Sequence, residues 1–376
     1  MRRTTRLVAL LGVLAVVGAA AQSASAATPS AGTNPVPLLA YYYIWFDPSS
    51  WLRAKRDYPL LGPYSSSDLD VLDQHVVWAK RAGIQGFVVS WKSTPTLNRR
   101  LSELLAVANR HHFKLAVIYQ GLDFDRNPLP ARRVAHDLRF FAWRFASDPA
   151  FRIFEKPLVV WSGTWKFSAA DVTAVTTPLR KKLLILASEK NVADYLRVRD
   201  AVDGDAYYWS SVNPQTYPGY PEKLAAMSRA VHERDGLWIA PAAAGFDARL
   251  IGGRRVVPRG DGVTLRREVS AAVESSPDAI GLISWNEFSE NSHVEPSVRF
   301  GHRYLNVIAE MQHTQFDPRG EIDSSSAVTG IGYGLPILSG LGGVVFAALL
   351  VAFTRRHVNR NHRRIHAPRR QGGATK

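Results

Sequence analysis

The chain contains no cysteine. That absence removes disulfides, thiolate metal ligands and a cysteine nucleophile together. Charge is also missing from one long stretch, because no Asp, Glu, Lys or Arg lies between Asp323 and Arg355. No glycine-rich phosphate loop follows the first apolar strand, which argues against a dinucleotide fold. No Gly-x-Ser-x-Gly elbow is present to support a Ser-His-Asp hydrolase. What remains is a chain of 376 residues with 46% hydrophobic content, 10 Trp, 13 Tyr and 16 Phe, enough for one large core with aromatics to spare.

The two ends carry topological signals. Arg2, Arg3 and Arg6 precede the apolar run Leu7 to Ala21 and an Ala24-Ser25-Ala26 site, the pattern of a signal peptide over residues 1–26. A Pro- and Ser-rich leader, 27–37, follows. Near the other end, residues 331–353 are apolar or small and long enough to cross a bilayer core as one transmembrane helix. The tail, 354–376, is basic throughout, so the positive-inside rule keeps it cytoplasmic and turns the bulk of the chain outward at the cell membrane. A polar stalk at 317–330 would join the two. The tail holds eight basic residues and the signal peptide three; removing them from the formal +15 leaves +4. The basicity is therefore mostly topology. It predicts anionic lipids beside the tail and no nucleic-acid partner.

Between residues 38 and 312 apolar strands alternate with helical patterns eight times. The expected strands are 38–45, 86–91, 114–120, 157–162, 183–188, 205–210, 237–242 and 279–285. Strands apolar on both faces and separated by helices call for parallel pairing buried on both sides. Eight such units predict a (β/α)8 TIM barrel over residues 38–316.

In such a barrel chemistry gathers where strands end. The eighth strand runs into Trp285-Asn286-Glu287-Phe288-Ser289-Glu290-Asn291-Ser292-His293-Val294-Glu295-Pro296. Glu287 and Glu290 are three apart. An extended chain would set them on opposite faces, whereas a tight turn brings both carboxylates to one spot. They form the candidate acid/base pair. Other strand ends carry aromatic rings beside polar groups, as a carbohydrate requires for stacking and for binding its hydroxyls. Tyr42, Tyr43, Trp91, Tyr208, Asp247 and Arg249 are the candidate sugar contacts, with Asn286, His293 and Glu295 from the eighth strand's own segment. His293 with Glu290 and Glu295 could hold a cation, but one His beside two acids more often forms hydrogen bonds. No metal or other cofactor is expected.

The segment Ser284 to Glu290 followed by Val294-Glu295-Pro296 resembles the signature of glycoside hydrolase family 99, the endo-α-mannosidases and endo-α-mannanases. Similar stretches occur in the same order at 42–46, 82–91, 156–160 and 241–249, so the resemblance covers the whole expected barrel. It implies retaining hydrolysis of an α-glycosidic bond without a metal, through a 1,2-anhydro sugar. Glu287 would be the base on the substrate 2-hydroxyl and Glu290 the general acid and then base. This route differs from the common one, in which a carboxylate itself bonds the sugar. Ser289 stands where the family has His, and Asn291-Ser292-His293 replaces Gly-Thr-Gln. The expected substrate is a mannan-like or glucan-like polysaccharide or oligosaccharide. The alternative is a non-hydrolytic glycan-binding or polysaccharide-assembly protein on the same barrel.

Overall fold

The computed structural model describes residues 36–318 apart from Ala54. The expected signal peptide, membrane span and basic tail lie outside the described residues, as do nearly all of the leader and stalk. Among the described residues no helix is long and apolar enough to cross a membrane.

Eight parallel strands form one sheet: β1 (Leu38–Tyr43), β2 (Gly86–Trp91), β3 (Lys114–Gln120), β4 (Leu158–Ser162), β5 (Leu184–Leu186), β6 (Gly204–Ala206), β7 (Leu237–Ala243) and β8 (Ala279–Ile283). They are ordered β5-β4-β3-β2-β1-β8-β7-β6. The two outermost strands meet through one parallel bridge, Ala187 with Asp205, so the sheet curls into a nearly closed barrel. Ala187 N–H donates to Gly204 O (3.0 Å) and Ala206 N–H to Ala187 O (2.9 Å) across this seam. Outside the barrel run α1 (Leu69–Arg81), α2 (Pro95–Arg110), α3 (Ala131–Arg144), α4 (Ala169–Thr176), α5 (Val192–Val198), α6 (Tyr220–His232), α7 (Val263–Glu274) and α8 (Arg303–Met311). This is the expected (β/α)8 architecture.

The strands bury both faces, and their two-residue alternation sorts side chains into two layers. Leu39, Tyr41, Val88, Ile118 and Ile239 fill the barrel interior. Ala40, Tyr42, Val89, Trp91 and Tyr119 point outward into the layer beneath the helices. Gly281 of β8 makes room for the interior ring of Tyr41, since a Cβ there would sit 2.9 Å from Tyr41 Cε2.

Boundaries differ from expectation where apolarity outlasts pairing. β5 and β6 hold three residues each, because the chain beyond them turns to form the mouth. α1 is capped by Asp68, whose carboxylate accepts from the N–H groups of Asp70 and Val71.

Candidate active site

β8 ends at Ile283, and the chain folds back on itself instead of continuing the sheet. Ser284 N–H donates to Ser292 O (3.1 Å) and Val294 N–H to Ser284 O (3.0 Å), closing a loop whose corner is Asn291 at φ 50°. Ser284 Oγ accepts from Glu287 N–H (2.9 Å). Asn286 fastens this loop to β1: its Oδ1 accepts from Tyr43 N–H (2.8 Å) and its Nδ2 donates to Tyr43 O (3.0 Å). The turn anticipated between Glu287 and Glu290 is present, and the two carboxyls lie within each other's field.

Their surroundings separate them. Burial raises Glu287 above the usual carboxylate range, but the Ser289 N–H donates to Glu287 Oε1 (2.9 Å) and the Lys55 ammonium acts against the rise. Burial pushes Glu290 up to about 8, and the charge of Glu287 adds to it; Arg126 opposes weakly. Glu290 is partly open to the cleft while Glu287 is buried. Both carboxyls are raised by burial, but Glu287 alone accepts the Ser289 N–H and feels the Lys55 ammonium, an asymmetry of the kind that general acid/base chemistry uses.

Two phenols and a charged cluster complete the mouth. Tyr43 from β1 and Tyr208 from beyond β6 share a short hydroxyl–hydroxyl bond, and both feel Glu287 and Glu290. Tyr43 stacks on Trp45 (4.4 Å between centroids), whose ring is 38% exposed. Asp247, in a short hairpin after β7, donates its N–H to Glu290 O (2.7 Å). Its carboxylate is gripped by Arg249 (Nη2, 2.8 Å) and Arg56 (Nε, 2.7 Å), which together with the Arg249 backbone N–H (3.1 Å to Oδ1) hold it below the usual range. The same hairpin borders a cavity of about 480 Å³ lined by Trp209, Tyr217, Asn213 and Arg255. A larger cavity of about 590 Å³ opens at the opposite end of the barrel, away from the carboxylates.

The structure thus gathers Glu287, Glu290, Tyr43, Tyr208, Asp247 and Arg249. Five other candidates require correction. Tyr42 and Trp91 point into the outer layer: Tyr42 stacks on Phe87 with its hydroxyl on His75 Nδ1 (2.9 Å), and Trp91 Nε1 donates to Asn98 Oδ1 (3.0 Å). Both sit at strand ends, but on the face that alternation turns outward. Asn286 is spent on the Tyr43 backbone. Glu295 is buried against the Tyr64 hydroxyl (2.9 Å) and His75 Nε2 (3.1 Å). His293 is buried with Nε2 on Asp57 Oδ2 (3.2 Å) and its ring stacked on Phe288, and burial and Arg259 lower it to about 4, so it stays neutral. These three support the loop from beneath and do not contact the cleft. His293, Glu290 and Glu295 also have separate partners, and among the described residues no cluster of three or more His, Asp or Glu is placed to hold a metal ion.

Several contributors were not anticipated. Lys55, Arg56 and Asp57 are consecutive, yet they address Glu287, Asp247 and His293 respectively. Arg259 is sandwiched over the Phe300 and Tyr304 rings (4.6 and 4.5 Å) and donates to Asn291 O (2.8 Å) and His293 O (2.7 Å). Isolated charges in loops carry no periodic signal, and only their contacts reveal them.

A parallel barrel with paired, electrostatically divided carboxyls at its mouth has the build of a glycoside hydrolase. The chain belongs to glycosyl hydrolase family 99, whose model matches residues 53–307. Its fold is similar to that of the family 99 endo-alpha-mannosidase from Bacteroides thetaiotaomicron in complex with bis-tris-propane, with TM-score 0.66 and 20% identity, over 75% of this chain and 98% of that one. A structure described as a glycoside hydrolase-like protein aligns with TM-score 0.56 and 15% identity, over 73% and 93% of the two chains. None of the curated proteins matches it.

Proposed function

We propose that this protein hydrolyses α-mannosyl linkages in a polysaccharide or oligosaccharide, with retention, through a 1,2-anhydro sugar. The observation that carries the reading is the split environment of Glu287 and Glu290. Glu287, as carboxylate, takes the proton of the sugar 2-hydroxyl while O2 attacks C1. The C1–O bond to the leaving group breaks, and Glu290 gives that oxygen its proton. Water then opens the epoxide at C1: Glu290 takes the water proton, and Glu287 returns its proton to O2. Each step inverts C1, so the net outcome is retention.

This chemistry chooses among the expected substrates. Backside attack by O2 needs the 2-hydroxyl trans to the leaving group. An α-mannoside has that arrangement and an α-glucoside does not, so the glucan-like option recedes. The exposed Trp45 ring and the aromatic cavity at Trp209 and Tyr217 offer surfaces on which sugar rings can stack.

Ser289 replaces the family's His, yet its backbone and side chain both support the Glu287 anion. That contact favours turnover over the alternative of binding without hydrolysis. Digestion of an α-mannan panel tests the reading. Wild type should release sugar as the retained anomer, and Glu287→Gln and Glu290→Gln should each lose about 10²–10⁴-fold in rate. A 2-deoxy mannoside should resist cleavage. Cleavage of it at the ordinary rate would exclude the anhydro route, and binding without release across the panel would favour the non-hydrolytic alternative. Anchoring to the cell membrane with the barrel outward belongs to the same proposal and rests on residues 1–26 and 331–376 alone.

A further inference from the structure

Strand N-termini and helix C-termini share the face of the barrel opposite the mouth. Its charge is divided. In the half formed by α1 to α4, Arg81, Arg144, Arg152, Lys181 and Lys182 are all exposed, in last helical turns or in the loops leading to β2, β4 and β5. Arg144, Arg152, Lys181 and Lys182 form no ion pair among the described residues, and the acids Asp148 and Glu155 in the loop before β4 are outnumbered by the cations around them. In the half formed by α5 to α8 the corresponding positions carry Glu233, Asp235, Glu274, Asp278 and Glu310 alongside Arg199, His232 and Arg234, and Glu233, Asp278 and Glu310 are paired with Arg199, His232 and Arg266. Cations at helix C-termini suit the helix dipole, but that tendency would act on both halves alike and does not account for the asymmetry.

Two further features mark the basic half. Trp143, in the last turn of α3 beside Arg144, is 75% exposed, with Phe140 packed along its ring (5.9 Å between centroids). A bare indole among cations fits the boundary between lipid headgroups and acyl chains. The described chain also leaves the barrel here: Arg81 Nη1 donates to Asp317 O (3.1 Å). Residues 319–330 could span at most roughly 40 Å before the apolar run at 331 begins.

We propose that the α1–α4 half of this face lies against an anionic lipid surface, which turns the catalytic mouth away from the membrane. The partner is a bilayer rather than a soluble polyanion because Trp143 adds an interfacial anchor where a purely ionic ligand would need none. The attraction is screened by salt, since exposed charges act over only about 10 Å at 0.1 M. The proposal does not depend on hydrolysis.

The lack of cysteine makes a unique label simple. The full chain carrying Lys182→Cys, or Ser211→Cys near the mouth as a control, is labelled with a donor dye and reconstituted in nanodiscs with acceptor-labelled headgroups. Discs are phosphatidylcholine alone or phosphatidylcholine and phosphatidylglycerol in equal parts. Energy transfer from position 182 should be severalfold higher in the anionic discs and return to the neutral value in high salt. It should fall on adding Arg152→Glu and Trp143→Ala, while position 211 stays low throughout. Equal transfer in both discs, or a stronger response at 211, would overturn the proposal. So would a label at 182 that responds to soluble polyphosphate but not to phosphatidylglycerol. Circular dichroism confirms that each variant is folded.

Discussion

Replacing Glu290 by Gln should abolish the acid and yet stabilise the protein in alkaline solution. The folded-state pKa of Glu290 is raised from 4.5 to about 8, so the folded chain holds this proton more tightly than the unfolded chain does. Stability therefore falls as pH rises from about 4.5 to about 8 and is level beyond. At about 1.4 kcal/mol per unit the full shift corresponds to about 5 kcal/mol. Because the side chain is partly open to the cleft, screening reduces that to about 2–3 kcal/mol. Glutamine mimics the protonated acid and has no such slope. Urea unfolding of wild type and Glu290→Gln should give similar stabilities near pH 4.5 that separate by about 2–3 kcal/mol above pH 8, the variant being the more stable. Parallel stability curves across that range would show that Glu290 is not held as a neutral acid, and the assignment of proton donor would fail with it.

Lys55→Met removes a charge that lowers the Glu287 pKa, so the acid limb of the kcat/KM profile should move to higher pH; an unmoved limb would take Lys55 out of the pair's field. Tyr42→Phe should cost about 1–2 kcal/mol through its buried bond to His75 with KM unchanged, whereas Tyr43→Phe should lower kcat/KM. A KM effect from Tyr42→Phe would contradict its placement in the outer layer. Arg259→Met strips the donors from Asn291 O and His293 O and should destabilise by about 2–4 kcal/mol, with kcat falling more than KM changes.

The barrel was legible because parallel strands buried on both faces leave near-continuous apolar runs, and helices between them leave a different period. The Glu287–Glu290 turn was legible because polar residues crowd a strand end where sheet propensity stops. Tyr42 and Trp91 lie at strand ends but on the outward face of the alternation, and proximity to the mouth in sequence does not distinguish the two faces. Tyr43, one residue on from Tyr42, faces the cleft by the same alternation. His293 and Glu295 resembled site residues because polar types beneath a loop look the same in sequence as polar types above it. Lys55, Arg126 and Arg259 sit far from the motif in the chain, and only folding brings their charges to it.

The single-bridge seam between β5 and β6 makes the barrel a split ring, with β1 and β8 on the far side of the split. Glu287 and Glu290 therefore follow the strand wall on the side of the ring away from the split. Tyr208 follows β6, at the split itself, and its bond to Tyr43 crosses the mouth to β1. That tie is a clasp: it joins the two sides of the split ring at the mouth, beside the carboxyls whose field both phenols feel.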